Sequence, residues 1–303
     1  MNAIMMALPG AETLAAGLRG HLGCEAGELL LHRFPDGETC PRLARAVAGR
    51  DVVLVAALDQ PDSKIMALYL SACVARELGA RSVGLVVPYL PYMRQDAVFA
   101  PGQGVTSRHV ARLLSGCCDW LVTVDPHLHR YHNLSELYEI ATEVVPAAPL
   151  IARWIGANVA RPVLVRPDQE SEQWVAQVAA GAGCPYTVLS KVRSGDREVA
   201  VSLPDAAQLA GRTPVLVDDI VSTARTMIAA VERLKAGGFA APVCIGVHAL
   251  FAGAAYAELQ AACAGRIVSC DTVAHASNQI GVGAPLATAV RHMLGLSRAL
   301  RSA

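Results

Sequence analysis

The stretch VLVDDIVSTARTM, residues 215–227, changes character twice along its length. Apolar, β-branched residues lead to two carboxylates, Asp218 and Asp219. A turn rich in hydroxyls follows (Ser222, Thr223), and a helical pattern begins at once. From Ser222 to Ala236 the residues Met227, Ile228, Val231 and Leu234 fall on one stripe, and Gly237-Gly238 ends the pattern. A strand that feeds directly into a helix is the unit of an α/β protein. Working outward, the same unit recurs. DVVLVAAL (51–58), SVGLVVPYL (82–90) and WLVTVD (120–125) precede the segment with PVLVRPD (162–168), while VCIGVHAL (243–250) and IVSCDT (267–272) follow it. Helical patterns at Lys64–Leu78 and Ser171–Ala180 each stop at a glycine. The apolar runs are continuous rather than alternating, as strands covered on both faces must be. The expected architecture is therefore a mostly parallel sheet with helices on both faces, occurring twice.

The segment EVVPAAPLIARW (143–154) holds two prolines and separates two such series, which predicts domains at 1–146 and 147–303. Of the 303 residues, 53% are hydrophobic and 17% charged, which excludes a disordered chain. Lys plus Arg and Asp plus Glu are 26 each. No basic excess points to nucleic acid or to an anionic membrane, so small molecules and further copies of this chain are the expected partners. The nine cysteines are scattered without a CxxC pair, which predicts buried thiols in a reducing, cytoplasmic setting. MNAIMMALPG lacks the basic start of a signal peptide. The uncharged stretch 236–257 is broken by glycines and Pro242, so it predicts a soluble strand rather than a membrane span.

Chemistry can be read from three places. At 215–227 a helix N-terminus offers free N–H groups and the positive end of its dipole to a phosphate. Ser222, Thr223 and Thr226 add hydroxyls, and Asp218 and Asp219 suit neighbouring sugar hydroxyls. An ordinary capped helix reads equally well from these residues alone. No GxxxxGK[ST] loop occurs, so a nucleotide would not be held in a P-loop. In VDPHLHRYH (124–132), His127 and His129 share a face if extended. A zinc site would need a further ligand at suitable spacing, and magnesium prefers oxygen. His129 and His132 read as polar surface residues. Lys191-x-Arg193 before Ser194-Gly195-Asp196 reads either as cations on a hairpin or as a solvated loop.

The loop at 218–226 resembles the phosphoribosyl-diphosphate loop of type I phosphoribosyltransferases. RFPDGE (33–38), PYLPYMRQD (88–96), VDPHLHR (124–130), RPD (166–168) and SKVRSGDREV (190–199) occur in the order found in ribose-phosphate diphosphokinases. The likeness runs from about residue 30 to Ala284-Pro285-Leu286. It implies two tandem phosphoribosyltransferase-like domains and an enzyme that moves the diphosphoryl group of MgATP to the anomeric hydroxyl of ribose 5-phosphate, releasing AMP. On this resemblance Lys191 and Arg193 are catalytic, and Arg94, Gln95, Asp96 and His127 bind ATP. Phe34, Asp36 and Glu38 reach an adenine bound by a neighbouring subunit of a homo-oligomer. Ribose 5-phosphate falls to Asp218, Asp219, Ser222, Thr223, Ala224, Arg225 and Thr226, and Mg2+ to His127 and Asp168. The chain departs from the pattern at Ala97, where relatives carry a basic residue, at Glu170 and Arg225, where glycine is usual, and at Gly102-Gln103-Gly104, where GEP is common. Two alternatives stay open: a non-catalytic regulatory homologue, and a phosphoribosyltransferase that consumes the diphosphate. Lys191 and Arg193 speak against the first, and the ATP motifs against the second.

Overall fold

The computed structural model describes residues 2–166, 172–188, 190–194, 198–202, 211–262 and 265–302. They divide into two compact units, Met1–Val145 together with Gly283–Ala303, and Pro146–Val282. The chain passes from the first unit to the second between Val145 and Pro146. The end of the second unit at Val282 is a correction to the expected domain 147–303, because residues 283–303 belong with the first unit.

The first unit runs β1 (Ala3–Ala7), α1 (Glu12–Leu22), β2 (Glu25–Ala26), β3 (Leu29–Arg33), β4 (Thr39–Leu43), β5 (Asp51–Val55), α2 (Ile65–Glu77), β6 (Ser82–Val86), α3 (Thr106–Ser115), β7 (Trp120–Val124) and β8 (Ala141–Val145). Its sheet has the order β2-β1-β5-β6-β7-β8 and every pairing is parallel. Ile4, Val52, Leu54, Val83 and Leu85 pack with Leu68 and Ala72 of α2 and Val110 and Leu114 of α3. The residues between them, such as Met5, Val53 and Val86, are buried too. Both faces are therefore covered, which explains the unbroken apolar runs. Trp120 lies so close over β6 that a Cβ on Gly84 would meet its ring at 2.0 Å, so this position admits only glycine. At the amino end of the sheet the buried Asp51 accepts from Arg81 Nε at 2.8 Å and Ser82 Oγ at 2.8 Å.

The second unit repeats the series with α4 (Ala148–Asn158) in front: β9 (Pro162–Arg166), α5 (Glu172–Ala182), β10 (Tyr186–Val188), β11 (Ser190–Ser194), β12 (Glu198–Ser202), β13 (Thr213–Val221), α6 (Arg225–Ala236), β14 (Val243–Ala249), α7 (Ala255–Ala262), β15 (Arg266–Cys270) and β16 (Asn278–Ile280). Its parallel sheet has the order β10-β9-β13-β14-β15-β16. Val163, Val165 and Leu216 pack against Met227, Ala230, Val231 and Leu234 of α6 and Leu259 of α7. In each unit an antiparallel hairpin, β3–β4 or β11–β12, is inserted between the short second strand and the long strand that follows. The last helix, α8 (Gly283–Ser302), packs on α1, β7 and β8 of the first unit. There Arg291 Nη2 donates to the His21 carbonyl at 3.0 Å, and His292 Nδ1 lies 2.6 Å from Glu143 Oε2. Each described cysteine is a free thiol, but the expected burial holds only for Cys117, Cys118, Cys244 and Cys270: Cys24, Cys73 and Cys184 are partly exposed, and Cys40 lies exposed on the hairpin strand β4. Among the described residues no helix is long and apolar enough to cross a membrane.

Candidate active site

In a parallel sheet all strands deliver their next loops to one edge, and ligands gather there. Backbone strain gathers there as well. Apart from Arg161, every described non-glycine residue with positive φ lies in a loop following a strand's carboxyl end: Gln60 after β5, Tyr92 after β6, Asp125 after β7, Ala224 after β13 and Phe251 after β14. Such conformations cost on the order of 1–3 kcal/mol each and persist where the surroundings enforce them.

In the first unit the predicted ATP residues occupy adjacent loops of this edge. Arg94 and Gln95 are exposed on the loop after β6, and Gln95 N donates to the Tyr92 carbonyl at 2.9 Å. Tyr92, in the left-handed conformation, hydrogen-bonds the Asp62 carboxylate, which pushes its phenol up to about 12. Asp96 differs from its neighbours. It is buried, its Oδ1 lies 3.6 Å from Arg130 Nε, and its Oδ2 has no hydrogen-bond partner among the described residues. The ion pair ties the loop after β6 to the loop after β7. Arg108 Nε, in the first turn of α3, lies 3.4 Å from Tyr131 Oη and ties that helix to the loop after β7. His127 lies on the loop after β7 and stacks on His129 with ring centroids 6.1 Å apart, the shared face that alternation predicts. Where relatives have GEP, Gln103 Oε1 accepts from Phe99 N at 3.2 Å and Ala100 N at 3.1 Å, so this departure folds its own loop.

Phe34, Asp36 and Glu38 form the turn of the β3–β4 hairpin. Phe34 N donates to the Glu38 carbonyl at 2.8 Å, Glu38 N to Asp36 Oδ1 at 3.2 Å, and Gly37 takes φ +93°. The Phe34 ring is exposed and meets only the edge of His32 among the described ring contacts, at 4.6 Å. Beside the hairpin a cavity of about 330 Å³ is lined by Leu8, Leu31, Arg33, Leu58, Ser63 and Lys64.

In the second unit β13 extends through both aspartates to Val221, so Asp218 and Asp219 occupy successive strand positions and are half-buried. Asp219 Oδ1 accepts from Ile220 N at 2.8 Å. Ser222 and Thr223 form the turn, Ala224 adopts φ +55°, and α6 starts at Arg225 with no side chain capping it. The first-turn N–H groups of an α-helix have no partner inside the helix, so this end is suited to an anion. Thr223, Arg225 and Thr226 are exposed around it. Lys191 and Arg193 stand two residues apart on β11, paired with Val201 and Val199 of β12. Asp168, Glu170 and the turn at 195–197 lie outside the described residues.

Sequence reading missed Tyr92 with Asp62, Arg130 with Asp96, and the backing of the 218–226 loop by residues 250–252. Tyr92 stands inside a quoted motif, yet no local spacing announces a partner 30 residues away.

Two parallel α/β units, the second presenting an uncapped helix end beside paired carboxylates, define a tandem phosphoribosyltransferase-like protein. Residues 3–117 match the N-terminal domain of ribose phosphate pyrophosphokinase, and residues 134–285 the phosphoribosyl transferase domain. A ribose-phosphate pyrophosphokinase of Halobacterium salinarum (strain ATCC 29341 / DSM 671 / R1) is 34% identical over 282 residues, 92% of this chain and 97% of that protein. One from Methanopyrus kandleri is 32% identical over 294 residues, 96% and 100% of the two chains. The crystal structure of phosphoribosylpyrophosphate synthetase from Mycobacterium smegmatis shares the fold, with a TM-score of 0.85 at 21% identity over 97% of this chain and 99% of that one. The chain belongs to the ribose-phosphate pyrophosphokinase family, a family of enzymes.

Proposed function

We propose that this chain transfers the β,γ-diphosphoryl group of MgATP to the anomeric hydroxyl of ribose 5-phosphate, giving 5-phosphoribosyl 1-diphosphate and AMP, as a cytoplasmic homo-oligomer. The observation that carries the reading is the loop from Asp218 to Thr226. Its uncapped helix end and exposed hydroxyls suit the 5-phosphate, while the carboxylates of Asp218 and Asp219 accept hydrogen bonds from ribose hydroxyls. Ala224 and Arg225 belong to this loop through their backbone N–H groups. The anomeric hydroxyl gives up its proton to solvent as its oxygen bonds to the β-phosphorus, the bond from that phosphorus to the α,β-bridging oxygen breaks, and AMP leaves with that oxygen. Little covalent chemistry falls to the protein in such a transfer, so positioning and charge carry it. Lys191 and Arg193 meet the charge that peaks on the migrating group, the one as a compact ammonium and the other as a planar fork. Arg94 and Gln95 take the ATP phosphates, and Phe34, Asp36 and Glu38 the adenine of a neighbouring subunit. Asp96, buried and paired with Arg130, contributes by holding the ATP loop in place.

Among the described residues no group of three His, Cys, Asp or Glu side chains could hold a metal unaided. On this reading the ion comes with ATP, since Mg2+ commonly keeps its waters and substrate phosphates and takes only one or two protein ligands. His127 and Asp168 are those residues on this reading. Bound with ATP, Mg2+ supplies charge neutralisation at the phosphoryl oxygens. The purified protein, given MgATP and ribose 5-phosphate, should release AMP and the diphosphorylated sugar in equal amounts. Absence of AMP release from the folded protein would overturn the proposal in favour of a non-catalytic regulatory homologue.

A further inference from the structure

The ribose-phosphate loop does not stand alone at its sheet edge. The segment after β14 folds back onto it: Leu250 N and Phe251 N both donate to the Val221 carbonyl, at 3.1 and 3.0 Å, and Ala252 N donates to the Ser222 carbonyl at 3.0 Å. Val221 is buried and reaches across to β14, where a Cβ on Gly246 would meet its Cγ2 at 2.5 Å. The two residues that lead into the phosphate-binding turn are thus fixed from one side by residues 246–252.

At the centre of this segment Phe251 has φ +36°, a conformation rare for a bulky residue. Something must hold it there, and its ring shows what does. The ring lies 5.0 Å from Tyr256, at the start of α7, and 4.7 Å from His275, beyond β15. Tyr256 and His275 close the triangle at 4.6 Å. His275 is itself fixed: its Nδ1 accepts from Ser277 N at 3.1 Å and lies 2.7 Å from Ser277 Oγ, and its own N–H donates to Asn278 Oδ1 at 2.8 Å. Ser277 Oγ lies 2.7 Å from Ser269 Oγ on β15. A chain of contacts therefore runs from β15 and α7 through an aromatic triangle to a strained backbone, and from that backbone to the phosphate loop.

We infer that Phe251, clamped by Tyr256 and His275, is a positioning residue that holds the 221–226 backbone in its ribose-phosphate-binding shape. This rests on the function proposed above for the loop. None of the three rings needs to touch substrate. They keep strain in the 250–252 segment, and that segment orients the Val221 and Ser222 peptides through three hydrogen bonds.

The experiment reads the full-length protein in two independent ways. Amide hydrogen exchange needs no substrate: in Phe251→Ala, and also in Tyr256→Ala should the first variant fold poorly, amides 250–252, the donors to the Val221 and Ser222 carbonyls, should exchange about tenfold faster, while those of β13 below Asp218 stay protected. Direct titration and kinetics should show the dissociation and Michaelis constants for ribose 5-phosphate rising about three- to tenfold, those for ATP unchanged, and both restored by Phe251→Tyr. Unchanged exchange at 250–252 overturns the inference. So does an equal weakening of both substrates with no rescue by Phe251→Tyr, which would mark the triangle as general support for the fold. If wild type binds no ribose 5-phosphate yet the exchange result holds, the function proposed for the loop fails while the clamp stands.

Discussion

The two units insert a hairpin at the same point of the same series of elements, and the two hairpins carry opposite chemistry. The β3–β4 hairpin presents an exposed aromatic ring and two carboxylates at its turn. The β11–β12 hairpin carries Lys191 and Arg193 on its first strand. The loops that follow the next strand diverge too. After β13 the chain turns within three residues into a helix with a bare N-terminus. After β5 it runs through a short helical turn, Pro61–Ser63, in which Lys64 pairs with Asp59 at 2.6 Å beside an apolar cavity. A repeated scaffold has thus been fitted at corresponding places with different ligand chemistry. On the proposed reading, one half recognises a nucleobase and the other meets phosphate.

The sharpest way to break that contrast is Lys191→Ala. Loss of a charge that acts in the transition state should lower turnover about a hundred- to a thousandfold, with both Michaelis constants moving far less; turnover like wild type would strip the second hairpin of its role. Next in size, Asp219→Ala should raise the Michaelis constant for ribose 5-phosphate about ten- to a hundredfold and leave that for ATP nearly alone. Phe34→Ala should do the reverse, weakening ATP by about three- to tenfold. If either variant weakens both substrates equally, the division of labour between the units is wrong. Mixing inactive Lys191→Ala with inactive Asp36→Ala should restore activity through hybrid sites, and hybrids that form but stay dead would confine the first hairpin to its own subunit. Gly84→Ala tests scaffold against loops: the clash with Trp120 should cost about 1–3 kcal/mol in denaturant unfolding while the surviving protein keeps both Michaelis constants. The smallest effect concerns His275, which burial holds below its usual value of 6.5. The unfolded chain takes up that proton first, so the stability from the neutral ring is complete above about pH 6.5 and declines as pH falls below it. The thermal midpoint of His275→Asn should therefore fall less than that of wild type between about pH 7 and about pH 5.5, and parallel slopes would reject this.

What the sequence displayed plainly was the central strands. Runs such as Asp51–Val55, Ser82–Val86 and Val243–Ala249 are buried on both faces, so every residue in them announces the same environment. The hairpin strands Leu29–Arg33 and Thr39–Leu43 are largely exposed and show no such run. Their turn was visible only because RFPDGE resembles a family motif. The binding loops were legible as composition, the strained residues within them were not. Nothing in Tyr92 or Phe251 as letters says that φ is positive, because the cause lies in Asp62 for the one and in Tyr256 and His275 for the other. Asp96 adds a further case: its letters give a motif residue, and only the fold gives its burial and its pairing with Arg130.

The return of α8 to the first unit has a consequence for how the molecule is made. Arg291 meets the carbonyl of His21 across 270 positions of sequence, so the earliest helix waits for the latest. During synthesis, domains tend to fold as they emerge, yet here the unit that emerges first stays open along α1, β7 and β8 until residues 283–302 have left the ribosome. The second unit, contiguous from 146 to 282, has no such wait. The order of completion is then the reverse of the order of translation, and until residues 283–302 emerge the nascent first unit leaves open the face that α8 covers.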